Sequence, residues 1–168
     1  MSPLYPDGRA LNRAVWGYNR GMNSQSSSHP SSHPSSHPSS DAPLCVAIVL
    51  CNEIIEDKRT SNKTLVGLFN SVGVSALPAT HPRLFLLASL TNLREDLPVS
   101  LSVRSHTGRE LLRVEGAVSS GGDPLAVVDL VLEVLGLTVQ EEGVHFVDVL
   151  SGDVLLGSRR FTVTRQGG

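Results

Sequence analysis

The stretch Pro98-Val99-Ser100-Leu101-Ser102-Val103-Arg104-Ser105 alternates apolar and polar residues without a break. A period of two is typical of a β-strand with one buried and one solvated face. We therefore predict a strand with three residues in the core, Val99, Leu101 and Val103, and three in water, Ser100, Ser102 and Arg104. The next residues, His106-Thr107-Gly108-Arg109, have the composition of a hairpin turn, and residues 110–118 form the returning strand with Leu112, Val114 and Val118 inward.

Similar apolar runs recur from Leu44 to Thr164, each closed by a turn signal. Such regular spacing indicates seven or eight antiparallel strands in a β-sandwich, and therefore an all-β fold. The predicted strands are 44–55, 64–74, 84–93, 98–105, 110–118, 124–135, 144–150 and 154–164. Loops are predicted at 56–63, between Leu77-Pro78 and His81-Pro82, and at 119–123.

The first of these runs is apolar on both faces. Leu44, Val46, Ile48 and Leu50 alternate with Cys45, Ala47, Val49 and Cys51. A strand apolar on both faces is typical of a central position that is covered on both sides. The two cysteines are six residues apart, about 20 Å along a strand, and a disulfide needs Cα atoms within about 7 Å. We read them as buried free thiols, which favours a reducing compartment.

Residues 124–135 fit two patterns. Asp123 and Pro124 resemble a helix start, with Leu125, Val128, Leu132 and Leu135 on one helical face. The same segment also alternates in strand fashion around Asp129 and Glu133 and is rich in valine. We predict a strand.

The composition changes sharply at Asp41. Residues 24–40 contain ten Ser, three His and three Pro, with Ser-Ser-His-Pro repeated three times. Proline at every fourth position excludes the helix that would bring His29, His33 and His37 together, so we assign no metal to them. We predict three parts: an N-terminal extension at 1–22, a disordered linker at 23–43 and a sandwich at 44–165. A chain without residues 1–40 is expected to fold.

Two interpretations of residues 1–22 remain open. Ala10, Leu11, Ala14, Val15 and Tyr18 form a weak helical stripe, as in a short docking helix. Alternatively, translation begins at Met22 and the preceding residues are not translated.

Charge and hydropathy argue against two classes of partner. Residues 41–168 carry 11 Lys and Arg and 15 Asp and Glu, without the basic cluster of a nucleic-acid footprint. The adjacent basic pairs, Lys58-Arg59 and Arg159-Arg160, are predicted to be solvated. The longest uninterrupted apolar run has eight residues, whereas a membrane helix needs about 20. With no export signal, we expect a cytoplasmic protein that binds neither nucleic acid nor membrane.

Two resemblances support this fold. Glu141-Glu142-Gly143-Val144-His145 resembles the corner of immunoglobulin-like domains, with His145 in the tyrosine position and Val147 facing the core. The chain also resembles a family of uncharacterised bacterial single-domain β-sandwich proteins in Leu50-Cys51-Asn52-Glu53 and in Lys63-Thr64-Leu65-Val66-Gly67-Leu68-Phe69. The family resemblance implies a bacterial cytoplasmic protein and supplies no activity.

Motifs of catalysis and cofactor binding are missing from the sequence, so we assign no catalytic residue, cofactor or metal and lean against an enzyme. Glu56-Asp57 and Glu141-Glu142 read as solvated turns. Whether His81, His106 and His145 converge stays open. We predict a non-enzymatic protein-interaction module. The alternatives are a structural subunit that self-assembles, and a ligand or metal binder, or enzyme, with loop residues such as His81, His106 and Asp153.

Overall fold

The computed structural model describes residues 12–18 and 42–166, which form ten β-strands and no helix. The strands are β1 Asn12–Tyr18, β2 Leu44–Glu56, β3 Lys63–Leu68, β4 Ser71–Val74, β5 Ala79–Thr91, β6 Leu97–Ser105, β7 Glu110–Val118, β8 Val128–Val139, β9 Gly143–Ser151 and β10 Val154–Arg165. The described part of the chain therefore holds no helix that could cross a membrane.

Two five-stranded sheets pack face to face. Sheet A has the order β1-β8-β5-β2-β3, and sheet B has the order β4-β10-β9-β6-β7. All neighbours are antiparallel except β4 and β10, which are parallel. The order β10-β9-β6-β7 is that of strands G, F, C and C′ in immunoglobulin domains. The predicted immunoglobulin-like sandwich is confirmed, with ten strands in place of seven or eight.

The core lies between the sheets and consists mainly of leucine and valine. In β6 the predicted inward residues Val99, Leu101 and Val103 are each at most 2% exposed. Val147 of β9 also faces the core, as predicted, and Phe161 is the one phenylalanine in the buried cluster of the described residues. Each such buried aliphatic side chain stabilises the fold by about 1.5–3 kcal/mol.

The predicted strand 64–74 is two strands, because the chain changes sheets at Phe69 and Asn70. The amide of Phe69 still bonds to Leu50 O in sheet A, at 3.2 Å, whereas Asn70 O accepts from the amide of Thr162 in sheet B, at 2.9 Å. Consecutive residues thus bond to different sheets. The predicted loop ending at His81-Pro82 is also wrong, since both residues lie in β5. Residues of β5 that precede Phe85 pair with β8 alone, so Pro82 needs no donor on the other side.

A bulge in β2 changes the predicted faces of that strand. Its register with β5 shifts between Cys45 and Ala47, so Cys45 packs against the core together with Ile48 and Leu50. Leu44 and Val46 remain about half exposed as a result, at 50% and 52%. Cys51 is buried outside the core cluster, and both cysteines are free thiols. The prediction of two free thiols within one strand is confirmed. The prediction that each face of this strand is formed by strictly alternating residues is wrong, because the bulge interrupts the alternation.

Residues 128–139 form β8, so the strand interpretation of 124–135 is confirmed, with later boundaries. Asp123 does cap a turn, since its Oδ1 accepts from the amide of Leu125 at 2.9 Å. The chain then enters β8, where Val128, Leu130, Leu132 and Val134 point into the core.

Asn12–Tyr18 form strand β1, which pairs antiparallel with β8 from Asn12–Val134 to Tyr18–Val128. The helical stripe expected within residues 1–22 is therefore wrong. A helix satisfies its hydrogen bonds internally, whereas the edge of β8 offers this segment a ladder of partners. The predicted disordered linker, with His29, His33 and His37, lies outside the described residues.

The hairpin of β2 and β3 folds back over the outer face of sheet A. Lys63 is paired with Glu56, and Asp129 lies in the same row across the sheet as Ala47. Glu56 comes nine residues after Ala47, so Lys63 and Asp129 would be roughly 30 Å apart if β2 were straight. Lys63 Nζ is nevertheless 3.4 Å from Asp129 Oδ2. The hairpin bends near Asn52 and Gly67, where Gly67 has φ +66° and a Cβ would lie 2.3 Å from the Asn52 side chain. A larger residue at position 67 would collide with this bend.

Candidate functional site

The outer face of sheet B carries two rows of side chains across its central strands. In one row, Ser102 of β6, Asp148 of β9 and Ser158 of β10 are in register. In the next row, Phe146 lies between Arg104 and Arg160. We call this second set, Arg104, Phe146 and Arg160, the arginine–phenylalanine row. Its members come from β6, β9 and β10, so the pairing of three strands positions it.

Asp148 is the centre of the first row and is only 5% exposed. Its Oδ2 accepts from Arg104 Nε, and its Oδ1 accepts from Ser158 Oγ at 2.5 Å. A buried carboxylate needs this compensation, because its desolvation costs several kcal/mol without partners. The Arg104 guanidinium also lies 4.3 Å from the centre of the Phe146 ring, in a cation–π contact. Arg104 is thus held from two sides while 37% of its side chain stays exposed.

A second set of hydrogen bonds on the same face joins β6 and β7. Glu110 Oε2 accepts from Ser102 Oγ at 3.1 Å and from Arg113 Nε at 2.8 Å. Arg113 Nη1 donates to Ser100 Oγ at 3.1 Å. The two sets of hydrogen bonds together involve four neighbouring strands of sheet B, β7, β6, β9 and β10, and hold their outward side chains in place.

Sequence reasoning placed Ser100 and Ser102 on the correct face but predicted water around them. They are 8% and 3% exposed, and the long side chains of Glu110 and Arg113 bond to them. Asp148 was missed as a functional residue. In the sequence, Asp148 is the single acidic residue within the apolar run Phe146–Leu150. Alternation alone predicts that such a residue faces solvent.

Arg159 and Arg160 differ in environment, although both were predicted to be solvated. Arg160 is exposed on the outer face. Arg159 faces the other way and is half-buried, in register with Val147. Its Nη2 donates to Asn70 Oδ1, and its Nε has no partner among the described residues. Lys58 and Arg59 are exposed, as predicted.

His106 and His145 lie at one end of the sandwich, around Glu141. Thr107 Oγ1 donates to Glu141 Oε1 at 2.8 Å, and Ser105 and Thr107 share a 2.7 Å bond. Hydrogen bonds from Ser105 and Thr107, helped by the charges of His106 and His145, lower the pKa of Glu141. Glu141 is therefore more than the solvated turn residue that its sequence suggested.

His145 is fully buried and packs against Phe161, with 5.3 Å between ring centres. Its Nδ1 donates to Gly143 O at 3.2 Å. Because a carbonyl only accepts, Nδ1 carries a proton, and Nε2 has no partner among the described residues. His145 thus packs in the corner as predicted, with a bond to the backbone two residues earlier.

His81 lies in β5 against Phe69, with 6.0 Å between ring centres. Burial lowers its pKa, opposed by a backbone hydrogen bond at Arg83. Asp153 sits in the turn between β9 and β10, at the opposite end of the sandwich from His106. The structure therefore does not bring His81, His106 and Asp153 together. Within residues 42–166, no three His, Cys, Asp or Glu side chains are grouped as metal ligands.

The two thiols are poor candidates for chemistry. Burial raises the pKa of Cys45 and of Cys51, which disfavours the reactive thiolate. Cys45 lines a groove with Val46, Ile48 and Gly157, where a Cβ on Gly157 would lie 2.9 Å from the Cys45 Cβ. Sheets A and B thus approach closely at this point, and Gly157 permits it.

Hydrogen bonds connect the polar side chains on the outer face of sheet B. Its serines donate to or accept from charged side chains, and the described histidines contact none of them. The hydroxyls of Ser102 and Ser158 donate to Glu110 and Asp148, carboxylates that also accept from arginine side chains. The arrangement offers guanidinium donors and an aromatic ring, held in fixed positions.

Two solved structures are similar to the chain. An immunoglobulin-like protein from Pseudomonas aeruginosa aligns with 73% of this chain and 97% of its own, at 16% identity and a TM-score of 0.37. The alkylpurine DNA glycosylase AlkC of Pseudomonas fluorescens, solved with DNA containing an abasic site analogue, aligns with 69% of this chain and 30% of its own. That pair is 15% identical, with a TM-score of 0.35.

No curated protein sequence matches the chain significantly. A family model does match residues 46–164, from the bulge of β2 to Thr164 of β10. That range includes all of sheet B except Arg165, the last residue of β10, and every member of the arginine–phenylalanine row. The chain therefore belongs to DUF6941, a family of unknown function.

Proposed function

We propose that this domain is a non-enzymatic protein-interaction module that binds a partner protein through the outer face of sheet B. The observation that carries the proposal is the arginine–phenylalanine row on a hydrogen-bonded base. Arg104 is fixed by Asp148 and by the Phe146 ring, so binding a partner costs little side-chain entropy there. Arginine and aromatic side chains are also enriched among the residues that dominate binding energy.

The chemistry of the row specifies its partner. Around Phe146 the flanking charges are both positive, from Arg104 and Arg160, while the nearby Asp148 is buried and already paired. A guanidinium binds a carboxylate through parallel N–H donors. We therefore infer that the partner presents acidic side chains on either side of an apolar one. A bacterial cytoplasmic setting is part of the proposal and is supported by the two free thiols.

One observation favours self-assembly as a second candidate. Strand β3 is an edge of sheet A, and its Val66 and Leu68 are 42% and 65% exposed. Together with Ile55 of β2, at 51%, they form an exposed apolar strip on an unpaired edge. A second copy of the chain would cover this strip by edge-to-edge pairing.

The test compares two charge reversals in the tagged full chain. Arg160→Glu changes the arginine–phenylalanine row, and Arg59→Glu is a matched control at an exposed position of the β2–β3 turn. We expect a protein captured from native lysate to bind the wild type and Arg59→Glu equally and Arg160→Glu at least ~10-fold more weakly, which is 1.4 kcal/mol. With the partner purified, titration calorimetry gives the dissociation constants.

A partner that binds all three proteins equally would contradict the proposed surface. A partner lost with Arg59→Glu alone would move the site to the β2–β3 hairpin. Concentration-dependent mass of the pure chain, abolished by Leu68→Asp, would instead support self-assembly through β3.

A further inference from the structure

The two edges of the β8-β5-β2-β3 part of sheet A differ in whether another strand pairs with them. The β3 edge is unpaired within the described residues, whereas β1 covers seven consecutive residues of the β8 edge. β1 lies outside residues 46–164, the part that the family model matches. A segment outside the family domain thus supplies the strand that pairs with one edge of that domain's sheet A.

The register of β1 matches its polarity pattern to that of β8. Ala14, Trp16 and Tyr18 lie opposite Leu132, Leu130 and Val128, which face the core. In the alternate positions, Arg13 lies opposite Glu133 and Val15 opposite Val131. Asn12 lies opposite Val134, and a shift by one residue would instead set the charged Arg13 opposite a core-facing residue of β8, so the alternation favours this register. The pairing therefore has sequence specificity, beyond the backbone hydrogen bonds that any strand could make.

The connection between β1 and β2 allows this pairing within one chain. Tyr18, Val128, Leu90 and Cys45 form one row across β1, β8, β5 and β2, so the end of β1 and the start of β2 lie at the same end of the sheet. Three strand spacings separate them, about 14 Å. Residues 19–43 join them, and 25 residues reach about 80 Å when extended. A connection of this length is sufficient for β1 and β2 to belong to one chain.

We propose that the β8 edge of sheet A is a strand-binding site and that its ligand is the chain's own Asn12–Tyr18 segment, a tethered and replaceable strand. The site takes an extended segment with apolar residues at every second position and a basic residue opposite Glu133. Its backbone ladder supplies affinity and the alternate positions supply specificity, as in β-strand addition. Any external strand of the same pattern has to compete with β1.

Trp16 provides the readout, because it is the only tryptophan in the chain. The test uses the full chain and the double variant Ala14→Pro/Val15→Pro. In an antiparallel ladder, neighbouring amides point to opposite sides, so one of these prolines removes a donor to β8 whichever amide faces it. Ser26→Pro/Ser27→Pro, in the Ser/His/Pro linker, is the matched control.

We expect Trp16 emission to be blue-shifted in the wild type and the control and to move to the solvent value in the Ala14→Pro/Val15→Pro variant. A labelled peptide of residues 10–20 should bind that variant at least ~10-fold more tightly than the wild type, since a tether gives its segment a millimolar effective concentration. The same peptide with both prolines should bind neither protein.

Solvent-like Trp16 emission in the wild type would overturn the proposal, as would equal peptide binding to both proteins or none to the variant. A blue shift that appears only with dimerisation would assign the strand to a second copy and overturn the tethered arrangement. None of these readouts involves the outer face of sheet B.

Discussion

The outer faces of the two sheets both contain buried residues, but these residues are of opposite chemistry. On sheet A, Cys51, Phe85 and Leu87 are buried apolar residues that do not belong to the core cluster. Arg83 extends over Phe85 at 4.9 Å and pairs with Glu133, and the β2–β3 hairpin bends back to Asp129. On sheet B, the buried residues are polar, and hydrogen bonds keep them in place. Burial alone thus does not identify a core, and the chemistry of the buried residues distinguishes the covered face of sheet A from the polar face of sheet B that we propose as a binding surface.

The largest loss of stability is expected for a substitution in the core, because both sheets pack against it. Leu101→Asp places a carboxylate at a position that is 2% exposed and should cost at least ~4 kcal/mol, enough to unfold the domain. Leu68→Asp, at 65% exposure, is the control and should change stability by less than ~0.5 kcal/mol. Urea denaturation measures both. Cooperative unfolding of Leu101→Asp at the wild-type midpoint would show that the register of β6 is wrong.

The second prediction compares the two outer faces directly. Phe85→Ala should destabilise by ~3 kcal/mol, because Phe85 is 8% exposed and its removal leaves a cavity beneath Arg83. Phe146→Ala should cost ~1 kcal/mol, since the half-buried ring can be replaced by water. Thermal unfolding of the two variants checks the order. Equal losses would mean that both outer faces are packed alike, against the contrast drawn above.

The third prediction concerns the polar face alone. Asp148→Ala leaves Arg104 and Ser158 without their acceptor and should cost ~2 kcal/mol. Asp148→Asn keeps an acceptor oxygen and should lose less, by ~1 kcal/mol. Chemical denaturation of both variants tests this, with Ser158→Ala as a variant that removes one bond. An Asp148→Ala protein as stable as the wild type would show that the network contributes no stability.

The smallest effect is a change in the pH dependence of stability. Burial lowers the pKa of His81 below its usual 6.5 in the folded state. The unfolded chain therefore binds more protons below pH 6.5, so folding stability falls as the pH drops from there towards the folded pKa. His81→Leu should flatten this part of the curve. Urea midpoints between pH 7.5 and 5 measure it, and an unchanged slope would exclude His81 as the cause.

Much of the fold was predictable because alternation reports directly on burial. The pattern of Val99, Leu101 and Val103 was sufficient to place β6, its turn and β7. The change of sheet at Phe69 and Asn70 was not predictable, because it depends on which distant strand accepts each hydrogen bond. The bulge at Val46 likewise follows from pairing with β5, which a single run of apolar residues does not specify.

The candidate site was less predictable than the fold. Arg104 and Arg160 are 56 positions apart in the chain and meet at Phe146 only through the register of three strands. Asp148 reads as solvated in the sequence because alternation tells which face a residue is on but not whether neighbours cover it. The strand at Asn12–Tyr18 was missed for a related reason: its partner β8 lies more than 100 residues away.

The parallel pairing of β4 with β10 has a mechanical consequence. β2 begins at one end of the sandwich and β10 finishes at the other, so tension applied between residues 44 and 165 acts along the strands. The ladder between β4 and β10 is then loaded in shear, and its hydrogen bonds have to break together, not one after another. A domain built this way resists stretching along its length more than peeling from one edge.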